Sequence, residues 1–305
     1  MISFRYHVVS IVAVFLALAL GVVVGTTALN GPITTNLRQQ VDSLKKDRSA
    51  LADSNSQLQQ RSGDGDQFAS TFAPRILANS LKGKSVVILG MPGAATSVKD
   101  ALQKDIGLAG GTVSGRIQLT GDFVDPKRSK DVINLATTAL PIGAHLPETS
   151  DSGTLAGALF GYVLLSGNAQ STDVNSVVEA FLKQQLLSVE SGSVAPADLA
   201  VVVSSGTMVA KAANGLAELQ IVTQFQLAGG HTTVAGDAAS ATGGGLIALV
   251  RGSDAVKDTV STVDDATTPM GQVTATLALA EMLTGKSGAY GDAAGASSLF
   301  PSLPK

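Results

Sequence analysis

From residue 8 to residue 29 the chain reads VVSIVAVFLALALGVVVGTTAL, without one charged side chain. Wound into a helix, a run of this length covers roughly 30 Å, the hydrocarbon thickness of a bilayer. Only helices and closed barrels satisfy every backbone N–H and C=O in lipid, so this segment is expected to be a transmembrane anchor over residues 1–30. Arg5 and His7 precede the run and the next cation is Arg38. The positive-inside rule then keeps a short N-terminus in the cytoplasm and exports the remainder, which places the chain in the cell envelope. The alternative is a cleaved leader, with Thr26 and Ala28 flanking the cleavage site, but the apolar run is longer than the roughly 7–15 residues of a leader's core. Within the span, Gly21 and Gly25 form a small-xxx-small step suited to close helix packing in the membrane.

After the breakers Asn30-Gly31-Pro32, leucines recur at Leu37, Leu44, Leu51 and Leu58, every seventh residue. That spacing is the d position of a heptad, and it puts Val41, Arg48 and Asn55 at a. Polar residues at a trade stability for register and a low oligomer number. A short parallel coiled coil is therefore expected over residues 31–62, making the protein a homodimer or higher homo-oligomer. Chains inserted with one topology leave the membrane side by side, so pairing gains from high local concentration. The other reading of the stripe is a lone amphipathic helix lying on its own globular domain. Ser62-Gly63-Asp64-Gly65-Asp66 supplies turn residues that end the helix and mark a flexible joint.

Residues 63–291 are read as an extracytoplasmic α/β domain. Hydrophobic residues make up 45% of the chain but aromatics only 4%, so the core must be aliphatic. Aliphatic runs suit the strands of a covered, mainly parallel sheet. Strands are expected at residues 85–89, 112–120, 161–165, 199–203, 232–235 and 246–250. Helical periodicity falls at 97–108, 128–140, 174–189, 215–227 and 273–283. The alternation implies a doubly wound fold, with 141–151 as the place where two lobes would divide, and a loose tail at 292–305. In such a sheet a ligand crevice lies at the carboxyl ends of the strands, here the loops Gly90-Met91-Pro92-Gly93 and Ser204-Ser205-Gly206. Plain turn chemistry explains the same residues.

Several kinds of chemistry are missing. With no cysteine, disulfides, thiolate metal sites and Cys nucleophiles are excluded. A net charge of −3 gives no footprint for nucleic acid. Gly83-Lys84-Ser85 and Gly285-Lys286-Ser287 are not phosphate loops, because the first glycine of the motif would fall on Ala78 and Ala280. His7, His145 and His231 are scattered, so neither a catalytic relay nor a metal cluster can be built from spacing. Met91, Met208, Met270 and Met282 read as core filler. Asp264-Asp265 is expected to cap a helix or face solvent rather than hold a cation. Neither an enzyme nor a resident cofactor is expected, and the aliphatic strands lack the alternation of an outer-membrane barrel.

Three stretches carry a resemblance: MISFRYHVVSIVAVFLALALGVVVG at 1–25, LKGKSVVI at 81–88, and STVDDATTPMGQVTATLALAEMLTGKSGAYG at 261–291. With weaker similarity in VSGRIQLTGDFV and ADLAVVV, the chain resembles the actinobacterial MctB family of copper-transport outer-membrane proteins. The resemblance implies copper efflux across the outer membrane, with copper as the one metal in view and no ligand residue that can be carried over. It also implies a second role, since relatives are linked to cell separation through a membrane partner and control of peptidoglycan hydrolases. A pore needs a barrel or a ring of amphipathic helices, and one uniformly apolar span offers neither. Three expectations stand: a copper-efflux component, a dimeric coiled-coil scaffold for envelope enzymes, and an enzyme or sensor using the crevice.

Overall fold

The structure is a computed structural model that describes residues 4–165, 167–206, 212–229 and 231–302, without the side chains of 27–35, 191 and 212–214. Met208 and the turn into α7 lie outside the described residues. The chain divides into two compact units, Met1–Asp64 and Gly65–Lys305.

The first unit is helical. Helix α1 runs Phe4–Ile76, so its last turns belong to the second unit. It ends neither at Asn30-Gly31-Pro32 nor at Ser62–Asp66, so both expected helix ends are corrected, while the boundary expected within Ser62–Asp66 is where the two units divide. An apolar run of helix length precedes the breakers and a stretch rich in Leu, Gln and Lys follows them, and together they carry the helix across a proline that loses one N–H and crowds the preceding turn. Beyond Gly65 tertiary burial holds the helix, because Ala69, Ala73 and the following Leu77 are core residues of the second unit.

The second unit follows in the order β1 (Ser85–Gly90), α2 (Thr96–Leu108), β2 (Thr112–Leu119), a short α3 (Gly121–Val124) and α4 (Ser129–Thr138). Next come α5 (Ser152–Leu165), α6 (Ser171–Lys183), β3 (Leu187–Ser191), β4 (Leu199–Val203), α7 (Ala212–Leu227) and β5 (His231–Ala235). The chain closes with α8 (Leu246–Gly252), β6 (Ser261–Val263), α9 (Pro269–Met282) and β7 (Ala289–Tyr290). The strands form one sheet in the order β3-β2-β1-β4-β5-β6-β7. Every pairing is parallel except β2 with β3.

The aliphatic runs explain the layering. In β1, Val87 and Leu89 enter one core and Val86 and Ile88 the other; in β4, Ala200 and Val202 oppose Leu199, Val201 and Val203. A strand buried on both faces needs apolar residues at every position, and a buried valine or leucine contributes about 1.5–3 kcal/mol. One face is covered by α3 to α8, the other by α2, α9 and the segment from Ala73 to Leu81. The α/β doubly wound architecture is as expected.

Other expectations are corrected. Residues 161–165 are the end of α5, not a strand, and 246–250 are α8, not a strand. Helix α6 stops at Lys183, and Leu187–Ser191 becomes the antiparallel edge strand after Gln185, whose φ of 57° turns the chain. There is no division into lobes at 141–151, since residues 65–305 form one unit. The tail is not loose over its described part. Ser297 N donates to Ala289 O at 2.7 Å, Asp292 N to Asp264 Oδ1 at 3.0 Å, and Ser302 Oγ to Glu281 Oε1 at 2.7 Å.

Candidate functional site

In the first unit, Phe4–Thr26 forms a 23-residue stretch with no side chain buried, long and apolar enough to cross a membrane. Around Gly21 and Gly25, apart from chain neighbours and the helix's own backbone, no described atom lies within 4 Å of where a Cβ would stand. Farther along α1, Leu37, Leu44, Leu51 and Leu58 are between 59% and 71% exposed, and Val41, Arg48 and Asn55 are exposed with them. A seven-residue spacing drifts only about 20° per repeat on a straight helix, so these leucines make one slowly turning stripe.

In the second unit, the strand order reverses between β1 and β4, which is where a doubly wound sheet opens a crevice. The residues expected there are used by the fold itself. Gln118 Nε2 donates to Met91 O at 2.8 Å and Gly90 O at 3.2 Å. Gly90 has no room for a side chain because Gln118 lies across it. Gln118 is held by Lys99, which is only 1% exposed and donates to Gln118 Oε1 and, at 2.5 Å, to Glu190 Oε1. Arg116 joins the same carboxylate at 3.1 Å and Asp100 at 2.7 Å. After β4, Gly206 N donates to Asp237 Oδ1 at 2.9 Å, and the same oxygen accepts from Ser240 N at 2.8 Å. Gln118 of β2 thus ties the carbonyls of the first loop and Asp237, just beyond β5, the backbone of the second, while the buried Ser204 Oγ has no partner among the described residues.

This network escaped sequence reading, though part of its signal was there. Arg116 and Gln118 are two residues apart in β2 and share one face of the strand, so a polar pair there has to be met by polar partners. Nothing in local spacing indicates Glu190, which reaches them from the antiparallel edge strand.

The Asp264-Asp265 pair sits where β6 leads into α9. Asp264 is fully buried, pairs with Arg251 Nη2 at 2.8 Å, and accepts from Asp292 N at 3.0 Å and Ala293 N at 3.2 Å. Asp265 is driven to a pKa of about 6 by burial, with the neighbouring Asp264 charge adding to the shift. Neither caps α9, whose first turn is capped by Thr268 Oγ1 accepting from Gly271 N at 3.1 Å. Glu281, also buried, accepts from Tyr290 Oη and Ser302, and burial together with this partner pushes the Tyr290 phenol upward. The glycines of the two Gly-Lys-Ser triplets are turn residues, Gly83 with φ 72° ahead of β1 and Gly285 with φ 77° beyond α9.

Among the described residues no three His, Asp or Glu side chains converge on a point that could hold a metal ion. His145 lines a shallow cleft with Tyr162 and Gln224, and His231 opens β5. An apolar groove of about 430 Å³ is walled by Phe68, Ile76, Met270, Leu277 and Phe300.

Against this geometry stand the relatives. The family model described as "Copper transport outer membrane protein, MctB" matches residues 1–301. "Copper transporter MctB" of Mycobacterium tuberculosis (strain ATCC 25618 / H37Rv) is 31% identical over 310 residues, covering 98% of this chain and 99% of the relative. The protein of the same name from Mycobacterium leprae (strain TN) is 32% identical over 314 residues, again covering 98% and 99%. Collinear similarity of this extent takes in the anchor, the helix and the whole sheet, and so this chain belongs to the MctB family.

Proposed function

We propose that the protein is a single-span envelope component of copper efflux and copper homeostasis, with copper as cargo rather than resident cofactor, and without enzymatic activity. The observation that carries this reading is the 31–32% identity to proteins named copper transporters along 98% of the chain. The anchor over Phe4–Thr26 supports attachment to a membrane, and the family's description supports the outer membrane. The residues themselves argue against a conduit formed by one copy. The span is apolar all round, and the sheet of the second unit is filled on both faces. An ion path needs either polar lining or a closed barrel. The chain therefore works in efflux as an oligomer or beside a partner that supplies the path.

A second reading is favoured by the exposed stripe of Leu37, Leu44, Leu51 and Leu58. In it a parallel homodimer recruits an envelope partner, a cell-separation membrane protein or a peptidoglycan hydrolase, and nucleic acid plays no part. One experiment separates the two. In a gene-deleted strain and its complemented counterpart, growth is followed across a copper series while septation is scored in the same cultures. Copper-sensitive growth with normal division is the result expected for efflux. Unchanged copper tolerance with cells joined in chains would replace it by the scaffold.

A further inference from the structure

A cleft of about 310 Å³ lies in the second unit between the last turns of α1, α2 and the first turn of α9. Its volume falls within the roughly 300–1,000 Å³ typical of small-molecule sites. Ala73, Pro74, Leu108, Pro269 and Val273 give it apolar walls. Its polar lining consists of Ser70, Lys104, Asp105 and Gln272.

Asp105 is the feature that needs an explanation. It is only 7% exposed, and among the described residues nothing donates a hydrogen bond to its carboxylate or forms an ion pair with it. Burial raises its pKa to about 6 while the Lys104 charge opposes the rise, so the group is ionised at neutral pH. A buried carboxylate without a donor is costly, and an acid at this place on the α2 face could be replaced by any aliphatic residue if packing were its role. The neighbouring groups are also acceptors. Ser70 Oγ already gives its proton to Asp66 O at 2.8 Å, which leaves its lone pairs. Gln272 Nε2 donates to Ala266 O at 3.2 Å, which leaves its carbonyl oxygen and its second N–H. Apart from exposed Lys104 and the second amide N–H of Gln272, the cleft offers oxygen acceptors over an apolar floor.

We propose that this cleft binds a small organic cation, a primary ammonium on a short alkyl stem, with Asp105 as its counter-ion. An ammonium brings three donors and one positive charge, which answers the carboxylate, and the stem lies against Ala73, Leu108 and Val273. The site is separate from copper handling and from the leucine stripe, so it stands or falls independently of either reading above.

The test uses the full-length chain in lipid nanodiscs and n-butylammonium chloride as probe, followed by saturation-transfer NMR with empty nanodiscs as the blank. Saturable binding is expected, weakened at least about tenfold in Asp105→Asn through loss of a charge-assisted bond. Ala101→Leu, which fills the cleft one helical turn before Asp105 on α2 and leaves that carboxylate in place, is expected to abolish it. Butan-1-ol, the neutral counterpart, is expected to bind at least about tenfold more weakly by the same reasoning. Absence of saturable binding, equal binding by Asp105→Asn, or equal binding of butan-1-ol would each overturn the proposal.

Discussion

Asp264 and Asp265 are chain neighbours with opposite surroundings. Asp264 is wrapped by Arg251 and two backbone N–H groups, whereas the buried Oδ1 of Asp265 has no partner. A chemically conspicuous pair thus resolves into one structural ion pair and one strained acid. Glu218 is the extreme case of the second kind. It is 5% exposed on α7, its Oε1 is buried without a partner, and burial lifts its pKa from 4.5 to about 7. Because the folded state holds the proton more tightly than the unfolded chain, the contribution to stability is fully present below pH 4.5 and is lost as pH rises through about 7. At about 1.36 kcal/mol per unit the loss is on the order of 3 kcal/mol. Glu218→Gln removes this titration. Denaturant unfolding of the full chain should find the variant equal to the wild type near pH 4.5 and about 1–3 kcal/mol more stable at pH 8, the lower figure reflecting the polar amide left buried. Parallel pH profiles for the two proteins would refute the assignment.

The same contrast runs through whole elements. Strands β1 and β4 were legible because a strand covered on both faces must be an unbroken aliphatic run. Helices α5 and α8 were not, because a helix buried nearly all round has no polar face, and without one the 3.6-residue period disappears. In α5 the glycines hid a different signal. Gly153, Gly157 and Gly161 lie every fourth residue against α7, where a Cβ on Gly157 would stand 2.8 Å from Ile221 Cα and one on Gly153 2.8 Å from Ala217 O. What reads as strand punctuation is a groove that lets two helices touch. Gly157→Val should destabilise the fold by about 1–3 kcal/mol through overpacking, read as a lowered unfolding midpoint. A neutral result would mean that the two helices are not in close contact. The break expected at Ser62–Asp66 failed for a related reason, since burial of Ala69 and Ala73 decides the helix there. The leucine stripe was legible from spacing alone. Replacing Leu44 and Leu51 together by Lys is expected to weaken self-association in detergent by at least about tenfold, measured by sedimentation, with the circular dichroism of the sheet unchanged. Undiminished association would move the contact elsewhere.

For the molecule as a whole, the anchor, the leucine-striped helix and the α/β unit belong together as one family architecture, matched from residue 1 to residue 301. Each part constrains function differently. The stretch Phe4–Thr26 is long and apolar enough to cross a membrane, the stripe is an exposed row of leucines, and the α/β unit uses Gln118 and Asp237 to hold the loops at its switch point. The fold class was open to sequence reading because alternation of strands and helices survives local errors. The candidate site was not, because Lys99, Arg116, Gln118 and Glu190 meet only through sheet order, and the acceptor-lined cleft only through the packing of three helices. The function proposed for the whole chain is copper export. Its most direct test is cell-associated copper, measured per milligram of protein in wild-type, gene-deleted and complemented cells grown at one sub-inhibitory copper concentration. Accumulation in the deleted strain, returned to the wild-type level by complementation, is the expected result. Equal copper in all three strains would contradict it.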